Sequence, residues 1–527
     1  MMILAHFGDE NYRKDEGMTK LSIGVDIGTT STKAVIFDDQ GQERGKSQKA
    51  YPLLTPNTET AEQNPEDIVL AVMHTLTETI EKAQTLGTLS HIAFSAQMHS
   101  LLLVDKNMQP LTKSITWADN RAKTIAKRYK HTDKGATLYY NTGTPIHAMS
   151  PFCKLIWIKE HQPEIFNQAY KVIDIKTFVI FHLTQKCVMD MSIASSTGLF
   201  NIHHKKWDAE ALEQIGIDEM SLPKVVSTLH VLSMEPEITQ KLHLTSSVPL
   251  IIGASDGVLS NLGVDSFRPG EIAVTIGTSG AIRTVVNTPQ LDPKGRTFCY
   301  ILDENHYVIG GPVNNGAVTL QWLREQILQR QSIHEDEKVN LSYDQMFNMA
   351  EAIQPGADGL IFQPYLSGER APIWSSNARG AFIGFTLAHH QGHMIRAVLE
   401  GVLYNLYSVL MTLTEMTGTL PKTIKATGGF SRNPLWRQIM ADIFDCEVVI
   451  PKSYESSCLG AITLGFKALG DERAYDYLPN WIGSVNRHEP NEEAVQQYRI
   501  LSSIFMEMTQ NLMTTYERIT AYQNQNK

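Results

Sequence analysis

A short pattern that occurs twice, far apart in the chain, limits this sequence to folds built from two similar halves. The first copy runs from Ile23 to Asp38 and turns at Gly28; the second runs from Glu271 to Arg283 and turns at Gly277. In both copies, alternating apolar residues lead into Ile-Gly-Thr, and apolar residues follow it, which is the pattern of a β-hairpin. An internal repeat of this kind predicts two similar domains that face each other.

The tips of both predicted hairpins have the composition of a phosphate-binding turn. Gly28 has no Cβ and lets the backbone approach a ligand, while Thr29, Thr30 and Ser31 add hydroxyl and N–H donors. Asp26 stands at the end of its strand, where a carboxylate could hold Mg²⁺. An ordinary turn with a surface Asp is the alternative for one tip alone, but the second copy favours a nucleotide site. The chain has no GxxxxGK[ST] motif, which excludes a P-loop enzyme.

Length and charge restrict the class of protein further. A chain of 527 residues is too long for one core, so we expect an irregular extension at 1–20 and two domains at 21–265 and 266–527. Met18 is a candidate for the native start. The net charge of −10 argues against a nucleic-acid partner. Five cysteines without a CxxC pair indicate reduced thiols in a cytoplasmic protein, and we expect no membrane-spanning segment.

Polar residues that could bind a sugar follow a predicted strand at 91–95. The strand delivers Gln97, Met98 and His99 to its C-terminal end, the edge at which open α/β sheets bind ligands. A second segment combines Trp117 with Asp119 and Arg121: an aromatic wall, a polar partner for hydroxyls and a cation. A helix start with a buried Trp and a surface ion pair explains the second segment equally simply.

A predicted helix from Met149 to His161 carries Lys154, which is either a solvated residue or a cation facing a pocket; the spacing favours the former. Asp256 follows an apolar strand at 249–254 and precedes Gly257. A single carboxylate at a strand end is suited to act as a general base, whereas capping of a helix at 258–262 is the alternative. Its position just before the second hairpin favours the base.

Three later segments are candidates for the walls of a cleft. A Gly/Asn loop at 310–317, ending in Gly316 and Ala317, could pack against a base or ribose, or could be a simple turn. The loop at 364–372 is polar and either structural or cleft-lining. Gly428 and Gly429 lie where a strand meets a helix that Asn433 would cap, and adjacent glycines there let a flat nucleoside lie against the backbone.

On these residues the chain resembles the FGGY carbohydrate kinases over about 21–465 and beyond. The segment 149–161 fits the first signature of that family, and 380–400 fits the second, apart from Phe385, which stands where a smaller aliphatic residue is usual. The resemblance implies an α/β fold of two ribonuclease-H-like domains of the actin-type ATPase class, with ATP and a sugar in the cleft between them.

The resemblance also implies a role for each matching residue. Asp26 would help to hold Mg²⁺, Asp256 would be the catalytic base, and Met98 and His99 would contact the sugar. The other substrate candidates are Gln97, Trp117, Asp119, Arg121 and Lys154. The candidates for ATP binding are Gly28, Thr29, Thr30, Ser31, Lys33, Gly277, Thr278, Gly316, Ala317, Gly428, Gly429 and Asn433.

Within the family, the likeness favours phosphorylation of the terminal hydroxyl of D-gluconate, with a ketopentose or polyol as the alternative substrate. A sugar acid needs a cation, and Arg121, His99, His147 and Lys154 are unranked candidates. A chaperone- or actin-like ATPase with a protein partner is the alternative from another class. The sequence leaves the oligomeric state open; a homodimer is the assembly we consider.

Overall fold

The structure is a computed structural model that describes residues 19–331, 338–452 and 455–525. The candidate start at Met18 and nearly all of the predicted extension therefore lie outside the described residues. Among the described residues the first regular element begins at Thr19, two residues before the start that the sequence predicted.

A six-stranded sheet organises the first half of the chain. Across the sheet the order is β5-β6-β4-β1-β2-β3, where the strands are β1 (Thr19–Ile27), β2 (Ser31–Asp38), β3 (Glu43–Ala50), β4 (Gly87–Ala96), β5 (Val231–Leu232) and β6 (Leu250–Ser255). β1, β2 and β3 form an antiparallel meander, whereas β4 runs parallel to β1, and β6 runs parallel to β4.

A seven-stranded sheet in the second half repeats this arrangement. Its order is β9-β10-β8-β7-β11-β12-β13, with β7 (Glu271–Ile276), β8 (Gly280–Val286), β9 (Phe298–Ile301), β10 (Tyr307–Val313), β11 (Thr423–Thr427), β12 (Glu447–Pro451) and β13 (Ser484–His488). β8 pairs antiparallel with both β7 and β10, as β2 does with β1 and β3, and β11 and β12 are the parallel strands beside β7. The predicted internal repeat is therefore confirmed at the level of strand order.

Helices cover both sheets. The longer and the site-bearing ones are α1 (Pro65–Leu86), α2 (Pro151–His161), α3 (Ile175–Thr184), α4 (Asp256–Gly263), α5 (Gln391–Thr417), α6 (Pro434–Phe444), α7 (Ser456–Ala468) and α8 (Glu492–Gln525). Shorter α-helices are Lys123–Tyr129, Asp133–Thr142, Pro163–Gln168, Met191–Ser195, Ala209–Ile215, Pro236–Lys241, Val318–Trp322, Tyr343–Glu351 and Leu478–Ile482.

Short two-stranded sheets complete the fold and lie mostly in the insertions between the main elements. They pair Glu62–Gln63 with Ser114–Ile115, Leu102–Val104 with Lys171–Ile173, Val188–Asp190 with Lys224–Val226, Phe200–Asn201 with Lys206–Trp207, Arg330–Gln331 with Lys338–Val339, and Ile361–Gln363 with Ala381–Ile383.

Two helices from different halves of the chain cross in direct backbone contact. α7 packs on α4 and on β1 and β4 of the first sheet, although it follows β12 of the second sheet in sequence. A Cβ on Gly263 would lie 1.8 Å from the carbonyl oxygen of Ser456, and a Cβ on Gly460 would lie 2.2 Å from that of Leu259. Both positions therefore have to be glycine. The crossing fixes the two sheets relative to each other and holds the start of α4 between them.

α1 starts at Pro65, and the side chain of the preceding residue, Asn64, makes no capping hydrogen bond. One prediction from the local sequence needs correction. The predicted loop at 310–317 is wrong in its first half, because 310–313 belong to β10, between β8 and β9. Gly310 marks a close approach of strands rather than a turn, since a Cβ there would lie 2.3 Å from the carbonyl oxygen of Ile282.

The expectation that no segment could span a membrane also needs correction. By length and composition α5 is apolar enough to do so, with a mean hydropathy of 1.3 over its most apolar stretch. In the structure 78% of that stretch is buried in the second half, as in a core helix. All five cysteines have free thiols.

We expect Gly460→Ala to destabilise the protein by about 1–3 kcal/mol, because the new methyl group overlaps the backbone of α4. Urea denaturation without ligands measures the change. The matched control is Gly429→Ala, since a Cβ at Gly429 meets no atom within 4 Å. Equal unfolding midpoints for the two variants would contradict a close-packed crossing.

Candidate active site

Both hairpin tips line one cavity of about 300 Å³. The first tip contributes Thr29, and the second contributes Gly277 and Ser279, while Asp256 at the start of α4 lines the same space. The remaining lining residues are Met98, His99, Trp117, Thr275, Gly280, Ala281, Arg283, Phe298, Tyr300, Pro312 and Arg370. The cavity thus combines two candidate phosphate turns, one carboxylate, an aromatic wall and two guanidinium groups.

Hydrogen bonds hold the first tip in one conformation. The Oγ1 of Thr29 accepts a bond from Trp117 Nε1 at 3.0 Å and donates to Gln97 Oε1 at 3.3 Å. The carbonyl oxygen of Thr29 accepts from Gln63 Nε2 at 2.6 Å, and Gln97 donates to Gln63 at 2.8 Å. Gln97, a sugar candidate from the sequence, therefore braces the tip from behind the cavity wall.

The other candidates of this hairpin have distinct surroundings. Thr30 is exposed at the tip, and Ser31 Oγ accepts a bond from Gln48 Nε2 at 2.8 Å. Lys33 forms an ion pair with Glu455 at 2.6 Å, which ties β2 to the segment before α7. The N–H of Gly28 donates to the carbonyl oxygen of Ser31 and closes the turn.

The second tip is supported by the segment that precedes helix Val318–Trp322. Ala317 N–H donates to the carbonyl oxygen of Gly277 at 2.8 Å, and Gly316 N–H donates to that of Thr278 at 3.1 Å. A Cβ on Gly316 would lie 2.6 Å from the carbonyl oxygens of Gly277 and Ser279. Gly316 and Ala317 therefore buttress the tip, as close neighbours of the phosphate candidates.

Gly428 and Gly429 lie beside the same tip, but the space around their Cα atoms differs. Gly428 has φ +96°, and a Cβ there would lie 2.3 Å from the carbonyl oxygen of Ile276 at the end of β7, so packing requires glycine. Gly429 faces open space. Asn433 caps α6 by accepting a bond from Trp436 N–H at 3.1 Å, as the sequence predicted. This leaves a flat, uncluttered backbone surface next to the second tip.

Asp256 is the first residue of α4 and directly follows β6. Its Oδ1 accepts the N–H of Gly257 at 2.6 Å. Burial raises the pKa of Asp256 to about 7, the negative charge of Asp26 adds to the rise, and the positive charge of Arg283 opposes it. A carboxylate with a pKa near neutrality is suited to accept a proton at physiological pH.

Lys176 of α3 anchors the strand that ends in Asp256. Its ammonium group donates to the carbonyl oxygens of Ile252 at 3.1 Å and Ala254 at 2.9 Å, and it pairs with Asp190 at 2.7 Å. Both members of the ion pair are buried. Since β6 has an irregular register between 251 and 254, the ammonium group fixes the backbone at a point where the strand ladder does not.

Asp26 is the candidate metal ligand. Ser95 Oγ donates to its Oδ1 at 2.7 Å, and burial raises the pKa of Asp26. Among the described residues no group of three or more His, Cys, Asp or Glu side chains could hold a metal ion. This fits Mg²⁺, which proteins usually bind through one or two carboxylates together with phosphate oxygens and water, and the two carboxylates Asp26 and Asp256 lie within electrostatic reach of each other.

The sugar-side candidates split into wall residues and residues behind the wall. Met98, His99 and Trp117 line the cavity. His99 Nδ1 lies 2.7 Å from the carbonyl oxygen of Ser196, so Nδ1 carries the proton and Nε2 can accept. Burial lowers the pKa values of His99 and His147 to about 3, which leaves both rings uncharged at neutral pH.

Lys154 is buried behind the wall rather than solvated, which corrects the expectation from its spacing. Its ammonium group donates to the carbonyl oxygens of His99 at 2.6 Å, Thr116 at 2.7 Å and Ile115 at 3.3 Å. Burial lowers the pKa of Lys154 to about 7. The side chain thereby holds together the two segments that carry His99 and Trp117.

Asp119 and Arg121 also lie outside the cavity lining. Asp119 is buried, accepts the N–H of Ala61 at 2.9 Å and pairs with Arg121 at 2.9 Å. Arg121 pairs in addition with Glu62, and its guanidinium lies 4.9 Å from the ring centre of Trp157. None of the four cations considered from the sequence presents an uncompensated positive charge to the cavity.

Two cavity arginines were missed by the sequence reasoning. Arg370 lies in the loop at 364–372, which the sequence left without a firm role; it donates to Asn314 Oδ1 at 2.8 Å and stacks 5.0 Å from the ring centre of Trp117. The buried carboxylate of Glu369 fixes this loop by accepting the side-chain amides of Asn315 and Asn405. Arg283 is the last residue of the second predicted hairpin, where the alternation of strand side chains could have placed it on the cavity face.

Two models of one family match most of the chain: the N-terminal domain of the FGGY family of carbohydrate kinases over residues 21–263, and its C-terminal domain over 272–469. The chain therefore belongs to the FGGY family of carbohydrate kinases. This assigns it to the α/β fold of two actin-type ATPase domains that the sequence predicted, and it rules out the alternative of an ATPase that acts only on a protein partner.

Individual members of the family are also similar to this chain. The chain is 48% identical over 508 residues to a protein named gluconokinase from Bacillus subtilis. The aligned region covers 96% of this chain and 99% of the relative. A solved structure of gluconate kinase from Lactobacillus acidophilus superposes with a TM-score of 0.89 at 37% identity, over 95% of this chain and all of the other. A ligand-bound xylulose kinase from Lactobacillus acidophilus has the same TM-score, identity and coverage.

We expect Lys154→Met to lower the free energy of unfolding by about 2–3 kcal/mol, because it leaves buried carbonyl oxygens without a donor. Urea denaturation measures the loss, and the exposed Lys127→Met is the matched control. If Lys154 instead bound substrate, its variant would keep the stability of the control and show only a raised KM for the sugar.

Proposed function

We propose that this protein transfers the γ-phosphoryl group of ATP to the terminal hydroxyl of D-gluconate, giving 6-phospho-D-gluconate. The observation that carries the proposal is the single cavity in which both hairpin tips, the carboxylate of Asp256 and two guanidinium groups meet. The relatives named gluconokinase and gluconate kinase support the choice of acceptor. The similarity to a xylulose kinase structure makes D-xylulose the second candidate.

The proposed acceptor site uses Asp256 as the general base. At its raised pKa the carboxylate is present in the ionised form at neutral pH in a substantial fraction of molecules and can take the proton of the attacking hydroxyl. Lys176 and the backbone of β6 hold it in position. Met98, His99 and Trp117 would contact the carbon chain and hydroxyls of the sugar, with Gln97, Asp119, Arg121 and Lys154 as the supporting shell.

The proposed donor site lies along the two tips. Backbone N–H groups and hydroxyls of Thr29, Thr30, Ser31, Gly277 and Thr278 would bind the phosphates. The backbone at Gly428 and Gly429, together with Asn433, would meet the adenosine, with Gly316, Ala317 and Lys33 in support. Asp26 would hold Mg²⁺, directly or through water, and the bound cation would neutralise charge on the phosphate oxygens.

The location, the domain boundaries, the partners and the assembly are proposed from the sequence. We propose a cytoplasmic location, domains at 21–265 and 266–527, no nucleic-acid or membrane partner, and a homodimer as the assembly. The five free thiols support the first of these, and the negative net charge argues against nucleic acid as a partner.

A substrate panel tests the proposed acceptor. In a coupled assay for ADP, we expect kcat/KM for D-gluconate to exceed that for D-xylulose, D-ribulose and glycerol by at least about 10-fold, since an acid gains charge-assisted bonds in a cavity with two arginines. Reactions without acceptor give the background. A higher kcat/KM for D-xylulose would reject gluconate in favour of the second candidate.

We expect Asp256→Asn to lower kcat by about 10²–10⁴-fold with little change in ATP affinity, because the amide cannot accept the proton.

In the wild-type protein, kcat/KM for gluconate should rise with pH through an ascending limb near pH 7, since only the ionised carboxylate acts as a base. Calorimetric ATP binding and unfolding midpoints are the controls. Near-normal turnover of the variant, or a limb near pH 4, would remove Asp256 from this role.

A further inference from the structure

Arg283 has the least compensated charge of the groups that line the cavity. It projects from β8, three residues after Gly280, the last glycine of the second tip that lines the cavity. Its Nε is buried without a hydrogen-bond partner, and the negative charge that acts on its guanidinium is that of Asp256. A partly buried charged donor without a hydrogen-bond partner is costly, so the guanidinium can bind a second anion, supplied by a ligand.

The neighbours of Arg283 show where such an anion would lie. The guanidinium passes close to Gly257, since a Cβ there would lie 3.1 Å from Arg283 Nη2. Arg283 acts electrostatically on Asp256, and on Arg370. The anion would therefore share the acceptor side of the cavity with the proposed base.

Arg370, the second arginine of the cavity, differs from Arg283 because groups of the protein accept its hydrogen bonds. Arg370 donates through Nε to Asn314 and through Nη2 to the carbonyl oxygen of Val313, and it stacks on Trp117. These contacts hold its guanidinium in place and use part of its donor set. Among the residues that the structure describes, Arg283 has no comparable hydrogen bond, so its donor fork remains available to a ligand.

We propose that Arg283 binds the carboxylate of the sugar acid and so selects acidic over neutral acceptors. The inference rests on the proposed function and names the group that would read the acid. A planar guanidinium can donate two parallel bonds to a carboxylate. A neutral acceptor leaves the partly buried guanidinium without an anionic ligand, so the selectivity is the difference between the binding free energies of the acidic and the neutral acceptor.

An alternative role for Arg283 is to bind the transferred phosphoryl group. The two roles differ in kinetics. A carboxylate contact is made equally in the bound substrate and in the transition state, so its loss raises KM far more than it lowers kcat. A phosphoryl contact that strengthens in the transition state would lower kcat for every acceptor.

The test uses the full chain with Arg283→Met. We expect KM for D-gluconate to rise by about 10- to 100-fold, with a much smaller change in kcat. By calorimetry, D-gluconate should bind this variant no better than D-glucitol, which has the same carbon chain without the carboxylate. Arg283→Lys should recover part of the affinity, because it restores the charge but not the fork.

Stability separates binding from a structural role. Without ligand, Arg283→Met should unfold at the same or a higher urea concentration than the wild-type protein, since it removes a partly buried charge whose Nε has no hydrogen-bond partner. Arg296→Met is the matched comparison: it breaks ion pairs with Asp292 and Glu415, away from the cavity lining, so it should lower stability and leave the preference for gluconate over D-glucitol intact.

The outcomes distinguish this inference from the proposed function. A wild-type protein that phosphorylates gluconate, together with a folded Arg283→Met variant whose KM for gluconate is unchanged or whose kcat alone falls, would overturn only the assignment of Arg283. A wild-type protein that phosphorylates D-xylulose but not gluconate would overturn the proposed function itself.

Discussion

The crossing of α4 and α7 is the contact on which the rest of the structure depends. At Gly263 and Gly460 the two helices meet backbone to backbone, with no room for a single added carbon. α4 begins at Asp256, and α7 comes from the opposite half of the chain. Because rigid interiors transmit displacement rather than absorb it, this contact sets the position of the carboxylate relative to both hairpin tips. A looser crossing would change the width of the cavity.

Buried charges around the cavity are used in two different ways. Lys154 and Lys176 are buried ammonium groups whose hydrogen atoms point to backbone carbonyl oxygens. They fix irregular backbone that carries His99, Trp117 and Asp256, and a long cation is suited to this because it offers three donors from one point. Arg283 is the contrasting case, a partly buried cation whose Nε has no hydrogen-bond acceptor. The two lysines hold the cavity walls in place before a ligand binds, whereas the donors of Arg283 remain available to a ligand.

Much of the fold could be predicted from local patterns. Alternating apolar residues around Gly28 and Gly277 correctly indicated two hairpins, and the repeat indicated two sheets of like order. Asn433 before Pro434 correctly marked the start of α6. The glycines at 310 and 311 led to the wrong prediction of a loop. In the sequence, a glycine that turns the chain cannot be distinguished from one that lets another strand come close.

By itself, the sequence determined the strand and helix periods, the paired glycine-threonine tips and the presence of a carboxylate at the end of an apolar strand. These are properties of residues close together in the chain, where steric limits and hydrophobic periodicity act. Only the tertiary structure decided which cations face the cavity. Lys154, Arg121 and the two histidines acquired partners or lost their charge on burial, whereas Arg283 and Arg370 became its lining, because burial and pairing depend on segments far apart in sequence.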